Sequence, residues 1–134
     1  MYHKIIIVGN LGRDPEMRFI PSGQAVTSFS VAVSDGFGDR KKTIWFRVSA
    51  WEKLAETCNN YLKKGSKVLV EGRMNADDSG NPRTWNRQDG STGASYEITA
   101  QTVRFLTSRN EPSGDTGGGG GYPDLPIDEE EIPF

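Results

Sequence analysis

Residues 43–51 read Thr-Ile-Trp-Phe-Arg-Val-Ser-Ala-Trp, and the alternation in this stretch decides the fold. Side chains of an extended strand point to its two faces in turn, so Ile44, Phe46, Val48 and Ala50 form one apolar row. Thr43, Trp45, Arg47, Ser49 and Trp51 form the other. The first row is an ordinary core face. The second carries two tryptophans and an arginine, which suits neither a core nor a plain solvated surface.

On either side of this strand the period of two recurs. Lys4 to Val8 is a short run of the buried type, and Thr27, Phe29, Val31 and Val33 alternate with Ser28, Ser30 and Ala32. Val68 and Val70 alternate with Lys67 and Glu71. Ile98 and Ala100, then Val103 and Phe105, mark a last strand whose apolar phase slips by one, which predicts a bulge near Gln101. Helical spacing occurs once, between Trp51 and Gly65, where Leu54, Cys58, Tyr61 and Leu62 form one stripe. Lys63 and Lys64 are expected as its basic last turn and Gly65 as its C′ residue. The order of three strands, a helix and two strands within about 105 residues predicts an all-β protein with one helix, a five-stranded OB-fold barrel.

From residue 110 the composition changes. Five consecutive glycines at 117–121 lie in a stretch without apolar periodicity, and four acids then precede Ile132, Pro133 and Phe134. We expect an OB-fold domain over residues 1–108, a flexible Gly/Pro-rich linker over 109–127 and an acidic tip over 128–134, so that a disordered Gly-rich acidic tail follows the barrel. Residues 1–108 hold 15 Lys/Arg against 11 Asp/Glu, a charge of +4, whereas residues 109–134 hold one arginine against seven acids, a charge of −6. The overall −2 therefore hides a basic body, and it does not exclude a polyanionic partner. A run of acids is commonly just solvated, but apolar residues at its end suit a tethered peptide that docks into a partner's pocket.

Other classes find little support. One cysteine, Cys58, and one histidine, His3, allow neither an intramolecular disulfide nor the usual Cys/His zinc site, and no catalytic constellation or phosphate-binding glycine motif is complete. No enzymatic activity, cofactor or metal is expected. The first residues hold only a five-residue apolar run, residues 5–9, with charge before it at Lys4 and soon after it at Arg13, unlike a signal peptide, and no stretch is long enough to span a membrane, so a cytoplasmic location is expected.

Aromatic rings on a non-core strand face can form a subunit interface, a sugar-stacking platform or a base-stacking platform. Here the rings are interleaved with cations: Arg47 lies between Trp45 and Trp51, Lys53 follows, and Lys41 and Lys42 precede the strand. Unpaired nucleic acid offers flat bases and a phosphate per residue, so it needs both features. Trp85, flanked by Arg83 and Arg87 in the polar stretch 75–93, is a third candidate, and Phe37, at the tip of another hairpin, is a fourth. An RNA-binding barrel and an assembly protein whose tryptophans form an interface remain as alternatives.

The segments HKIIIVGNLGRDPEMRF (3–19), IWFRVSAWEKLAE (44–56), NYLKKGSKVLVEGRM (60–74) and DEEEIPF (128–134) together resemble the bacterial single-stranded DNA-binding protein family. The resemblance implies a nucleoid-associated homotetramer that binds and protects single-stranded DNA in replication, recombination and repair. It implies that Trp45, Trp51 and Trp85 stack bases, and that Phe37 holds a loop position where that family often has Trp. It also gives DNA-binding roles to Arg18, Lys53 and Lys64. For the tip it implies that Ile132, Pro133 and Phe134 enter a pocket on replication, recombination and repair proteins, while Asp128, Glu129, Glu130 and Glu131 pair with basic residues around it. Phe46 stands where that family commonly has His.

Overall fold

The decisive strand, β4 (Lys42–Trp51), lies between two partners. The computed structural model describes residues 1–107; the expected linker and acidic tip, and residue 108, lie outside the described residues. β4 pairs antiparallel with β3 (Ala25–Asp35) through ten residue pairs, from Val26↔Trp51 to Asp35↔Lys42. On its other edge it runs parallel to β8 (Tyr96–Phe105), with Arg47 opposite Glu97. β8 pairs with β5 (Lys67–Met74), and β5 pairs with β1 (Ile5–Leu11). The last residues of β1 then turn onto β3, Asn10 opposite Ala32 and Leu11 opposite Val31, which closes a five-stranded barrel.

Closure requires backbones to approach closely at two corners, and glycine occupies both. A Cβ on Gly9 would run into the Ala32 carbonyl oxygen, and one on Gly72 into that of Thr99. Gly72 sits where the β5–β8 register slips: Glu71 faces Thr102 and Gly72 faces Ala100, so Gln101 is the extra residue. The expected bulge is therefore present at Gln101.

Leu11, Val31, Val48, Val68 and Val70 are completely buried inside the barrel, beside Phe29, Phe46 and Ile98. The helix α1 (Glu52–Tyr61) adds Ala55 and Cys58, with Leu62 just beyond it, and Leu54 packs against the core. Fully burying a leucine-sized side chain stabilises by about 1.5–3 kcal/mol, so these few residues suffice to hold a short helix in place. Thr27, completely buried, donates its hydroxyl to the Ala55 carbonyl oxygen at 2.7 Å, which satisfies the one polar group facing the helix from inside β3.

Several expectations need correction. α1 ends at Tyr61, with Leu62 in extended conformation as its C-cap, so Lys63, Lys64 and Gly65 lie past the helix. Gly65 has φ +89° in a tight turn closed by the Ser66 N–H on the Lys63 carbonyl, and is not the helix's C′ residue. Tyr61 leaves the stripe: it is exposed, its ring 5.8 Å from that of Phe105, which is exposed as well. β1 is buried on one face only. Ile7 is interior, but Ile6 and Val8 are 56% and 42% exposed. Three further short strands are present: β2 (Glu16–Phe19), which extends the sheet beyond β3, and β6 (Thr84–Asn86) and β7 (Thr92–Ala94), which form a separate ribbon.

Candidate nucleic-acid interface

Strand register assembles an outer surface from β2, β3, β4 and β8. Residues paired across strands share a face, so Arg18, Val26 and Trp51 form one row and Glu16, Ser28, Ser49 and Thr99 the next. Ser30, Arg47 and Glu97 form a third row, and Ala32 and Trp45 a fourth. Trp45 and Trp51 thus lie about 20 Å apart along one strand, with Arg47 between them. Trp51 is exposed and Trp45 half-buried, and neither belongs to the core. Val26 is only 2% exposed although it faces outward, because it sits between Arg18 and Trp51 in its row.

Beside the third row opens a groove of about 610 Å³. Arg47 and Ser30 form part of its floor, Arg83, Thr84 and Trp85 one wall, and Arg13, Asp14 and Glu16 the other. Glu97 holds two of these cations: its Oε1 lies 3.8 Å from Arg47 Nη1 and its Oε2 lies 3.4 Å from Arg83 Nε. A second cleft of about 370 Å³ continues past Arg83 to His3, Arg73 and Thr99. There His3 Nε2 accepts the Met74 N–H at 3.2 Å, which ties the N-terminal residues to the end of β5.

Trp85 is held by its ribbon. Its cross-strand partner is Gly93, and a Cβ there would come within 2.7 Å of two indole carbons, so only glycine leaves room for the ring. The Arg87 guanidinium carbon lies 5.8 Å from the centre of the indole, and Arg87 Nη1 donates to the Thr92 carbonyl at 2.9 Å. The turn that joins the two short strands is fastened by Asp89, whose carboxylate accepts the Ser91 hydroxyl at 2.6 Å and the Ser91 N–H at 2.8 Å. The hydroxyl contact first, then the N–H, holds the Asp89 carboxyl below its usual range.

Residues 2–106 match the model of the single-strand binding protein family. The chain belongs to that family. It is 41% identical over 117 residues to the single-stranded DNA-binding protein of two strains of Neisseria meningitidis, an alignment covering 84% of this chain and 64% of each relative. It is 39% identical over 120 residues to that of Helicobacter hepaticus, covering 86% of this chain and 66% of the relative. It is 37% identical over 123 residues to single-stranded DNA-binding protein 1 of Chlorobaculum tepidum, covering 87% and 69%. The chain thus spans just under two thirds of the length of the Neisseria relatives.

In this member of the single-strand binding protein family, the residues singled out from sequence fall into separate groups. Arg47, Arg83 and Trp85 meet at the groove, and Trp45, Trp51 and Arg18 flank it on the same outer face. Lys53 is exposed in the first turn of α1, just past Trp51. Lys64 lies in the turn after the helix, its N–H bonded to Asp14 Oδ1 at 2.8 Å. Phe37, Lys41 and Lys42 occupy the far tip of the β3–β4 hairpin; Phe37 is 94% exposed, and Lys42 lies 4.0 Å from Asp35. None of these last five lines the groove. The tip residues 128–134 lie outside the described residues.

Glu97, Arg13 and Glu16 were missed by the sequence reading. Glu97 carried a signal, since it immediately precedes Ile98, where the inward-facing Ile98–Ala100 phase begins, and must face outward. Arg13 had none, because it lies in the bend between β1 and β2, and β2 is a strand too short and too exposed to show a period. Among the described residues, no group of three or more His, Cys, Asp or Glu is placed to hold a metal ion, and no helix is long and apolar enough to cross a membrane.

Proposed function

We propose that this protein binds and protects single-stranded DNA without sequence specificity during replication, recombination and repair, and that it catalyses no reaction. The observation that carries this reading is the outer row Trp45, Arg47, Ser49, Trp51, which alternates stacking surface and cation along one strand beside a groove lined by arginines. Family membership, and the names of the Neisseria, Helicobacter and Chlorobaculum relatives, support it. Bases stack on Trp45, Trp51 and Trp85, and Phe37 extends the track at the hairpin tip. Arg18, Arg47, Arg83 and Arg87, with Lys41, Lys42, Lys53 and Lys64, meet phosphates. Stacking contributes about 1–3 kcal/mol per base with little sequence preference, because every base has a flat face.

The chain works in this reading as a homotetramer in the cytoplasm, associated with the nucleoid. The exposed Ile6 and Val8 on the outer face of β1 support an assembly contact, since paired apolar side chains on a strand are poorly suited to water. Residues 128–134 recruit replication, recombination and repair proteins. Ile132, Pro133 and Phe134 are the anchors, and Asp128 to Glu131 provide the charge that steers them to a basic surface. A short tethered peptide binds modestly, and several copies on one assembly add avidity.

A tryptophan-fluorescence titration with long oligo-dT, the matching duplex and oligo-U, at two salt concentrations, tests the central reading. Strong quenching by oligo-dT that weakens as salt rises is the expected result. No quenching by any strand would assign the tryptophans to an interface instead.

A further inference from the structure

We propose that Glu97 is the groove's built-in counter-anion, which occupies Arg47 and Arg83 until a phosphate replaces it, and so limits how tightly a strand binds. The inference rests on the single-stranded DNA reading above and adds to it a restraint on affinity.

The groove is not basic in itself. Its three arginines, Arg13, Arg47 and Arg83, are matched by three carboxylates, Asp14, Glu16 and Glu97. Glu97 forms ion pairs with two of the groove arginines, Arg47 and Arg83, one through each oxygen. Its place is fixed by the sheet: the parallel register sets it opposite Arg47, and its side chain is only 14% exposed. Arg83 comes from outside the barrel, just ahead of β6, so one carboxylate joins the β4–β8 sheet to the Trp85 ribbon.

The two arginines differ from Glu97 in exposure, at 41% and 61% of their side chains. Both cations can therefore be reached from solvent while the anion beside them is largely shielded from it. The distances of 3.8 and 3.4 Å are also longer than the 2.7–2.9 Å of a tight charge-assisted hydrogen bond. A phosphate, whose oxygens match the guanidinium fork, can take these contacts over. Binding then exchanges one anion for another, and each arginine contributes less than a free one would. A groove of this kind releases its strand readily, which suits a protein that must be cleared from DNA for the next step.

The test compares the full chain with Glu97→Gln, which keeps the side chain's shape, and with Glu56→Gln, which makes the same change in net charge on the exposed side of α1. Affinity for oligo-dT is read by fluorescence over a salt series. We expect Glu97→Gln to bind several-fold more tightly at low salt, and its log–log salt slope to steepen by about 0.7 for each phosphate contact released, or about 1.4 for both arginines. Glu56→Gln should change the slope little. Weaker or unchanged binding by Glu97→Gln, with normal binding by the parent chain, would overturn the inference and leave the DNA reading intact. Failure of the parent chain to bind would sink both. The parent chain provides a second measurement that needs no variant: the Arg83 Nε–H resonance in NMR should shift on saturation with oligo-dT, and an unmoved resonance would also overturn the inference.

Discussion

The indole of Trp85 lies across Gly93, its cross-strand partner in the β6–β7 ribbon, so closely that a single added carbon would come within 2.7 Å of the ring. The ring's position therefore depends on the absence of a side chain on the facing strand. Gly93→Val should displace Trp85 and with it the wall of the groove. Oligo-dT affinity should fall by about 1–3 kcal/mol, the contribution of one stacked base. The ribbon adds little to the barrel core, so the melting temperature should hardly move. Calorimetry and titration on the same variant check both parts, and unchanged affinity would separate Trp85 from binding.

Gly72→Ala is expected to act on the barrel itself. The new methyl would meet the Thr99 carbonyl oxygen at the corner where Gln101 bulges, and backbone there has no free space to yield into. The cost should be about 3 kcal/mol, enough to lower the melting temperature of a domain this size by more than about 10 °C. A thermal melt within a few degrees of the parent would mean that the corner relaxes.

The difference between these two glycines also explains which parts of the fold were legible in the sequence. The alternation in β3 and β4, and the phase slip at Gln101, are consequences of one buried face, so they can be read from residue type alone. β1 reads as buried on both faces because Ile5, Ile6, Ile7 and Val8 are all apolar, yet only alternate members reach the core. The helix boundary was misplaced because Leu62 continues the apolar stripe after the backbone has become extended. At the site, residue type revealed the tryptophans and arginines. The pairing of Arg47 and Arg83 through Glu97 depends on the parallel β4–β8 register and on where the β6–β7 ribbon folds, and nothing local encodes either.

The buried thiol gives a pH dependence with a definite sign. Burial pushes Cys58 up to about 11 from an ordinary value of 9.0, because the thiolate would lose its hydration. A raised value in the folded state means that the thiol's contribution is complete below pH 9 and is lost as pH rises through 9 to 11. Two units correspond to on the order of 2–3 kcal/mol. Cys58→Ala should therefore cost about 1 kcal/mol or more at pH 7 through the lost packing, and its disadvantage should shrink or reverse toward pH 10. Denaturant melts of both chains at pH 7 and pH 10 check this, and a constant difference would rule it out. The native thiol should also resist an aromatic disulfide reagent at pH 8 until denaturant is added.

Trp51 and Trp45 should separate on substitution, although both face outward from β4. Trp51 stands opposite Val26, which is 2% exposed between it and Arg18, whereas Trp45 stands opposite the small Ala32. Each alanine variant should lose about 1–3 kcal/mol of oligo-dT binding, the contribution of a stacked base. Only Trp51→Ala also uncovers Val26, so it alone should lose stability, by about 1 kcal/mol. Trp51→Phe keeps a ring over Val26 and should recover most of both losses, because stacking on a base and shielding a valine each require a flat apolar surface rather than an indole N–H. The decisive comparison is the pair of readings, affinity and melting temperature, on all three variants. If Trp51→Ala melts low but binds as the parent does, the ring shields the sheet and nothing more, and the stacking track begins at Trp45.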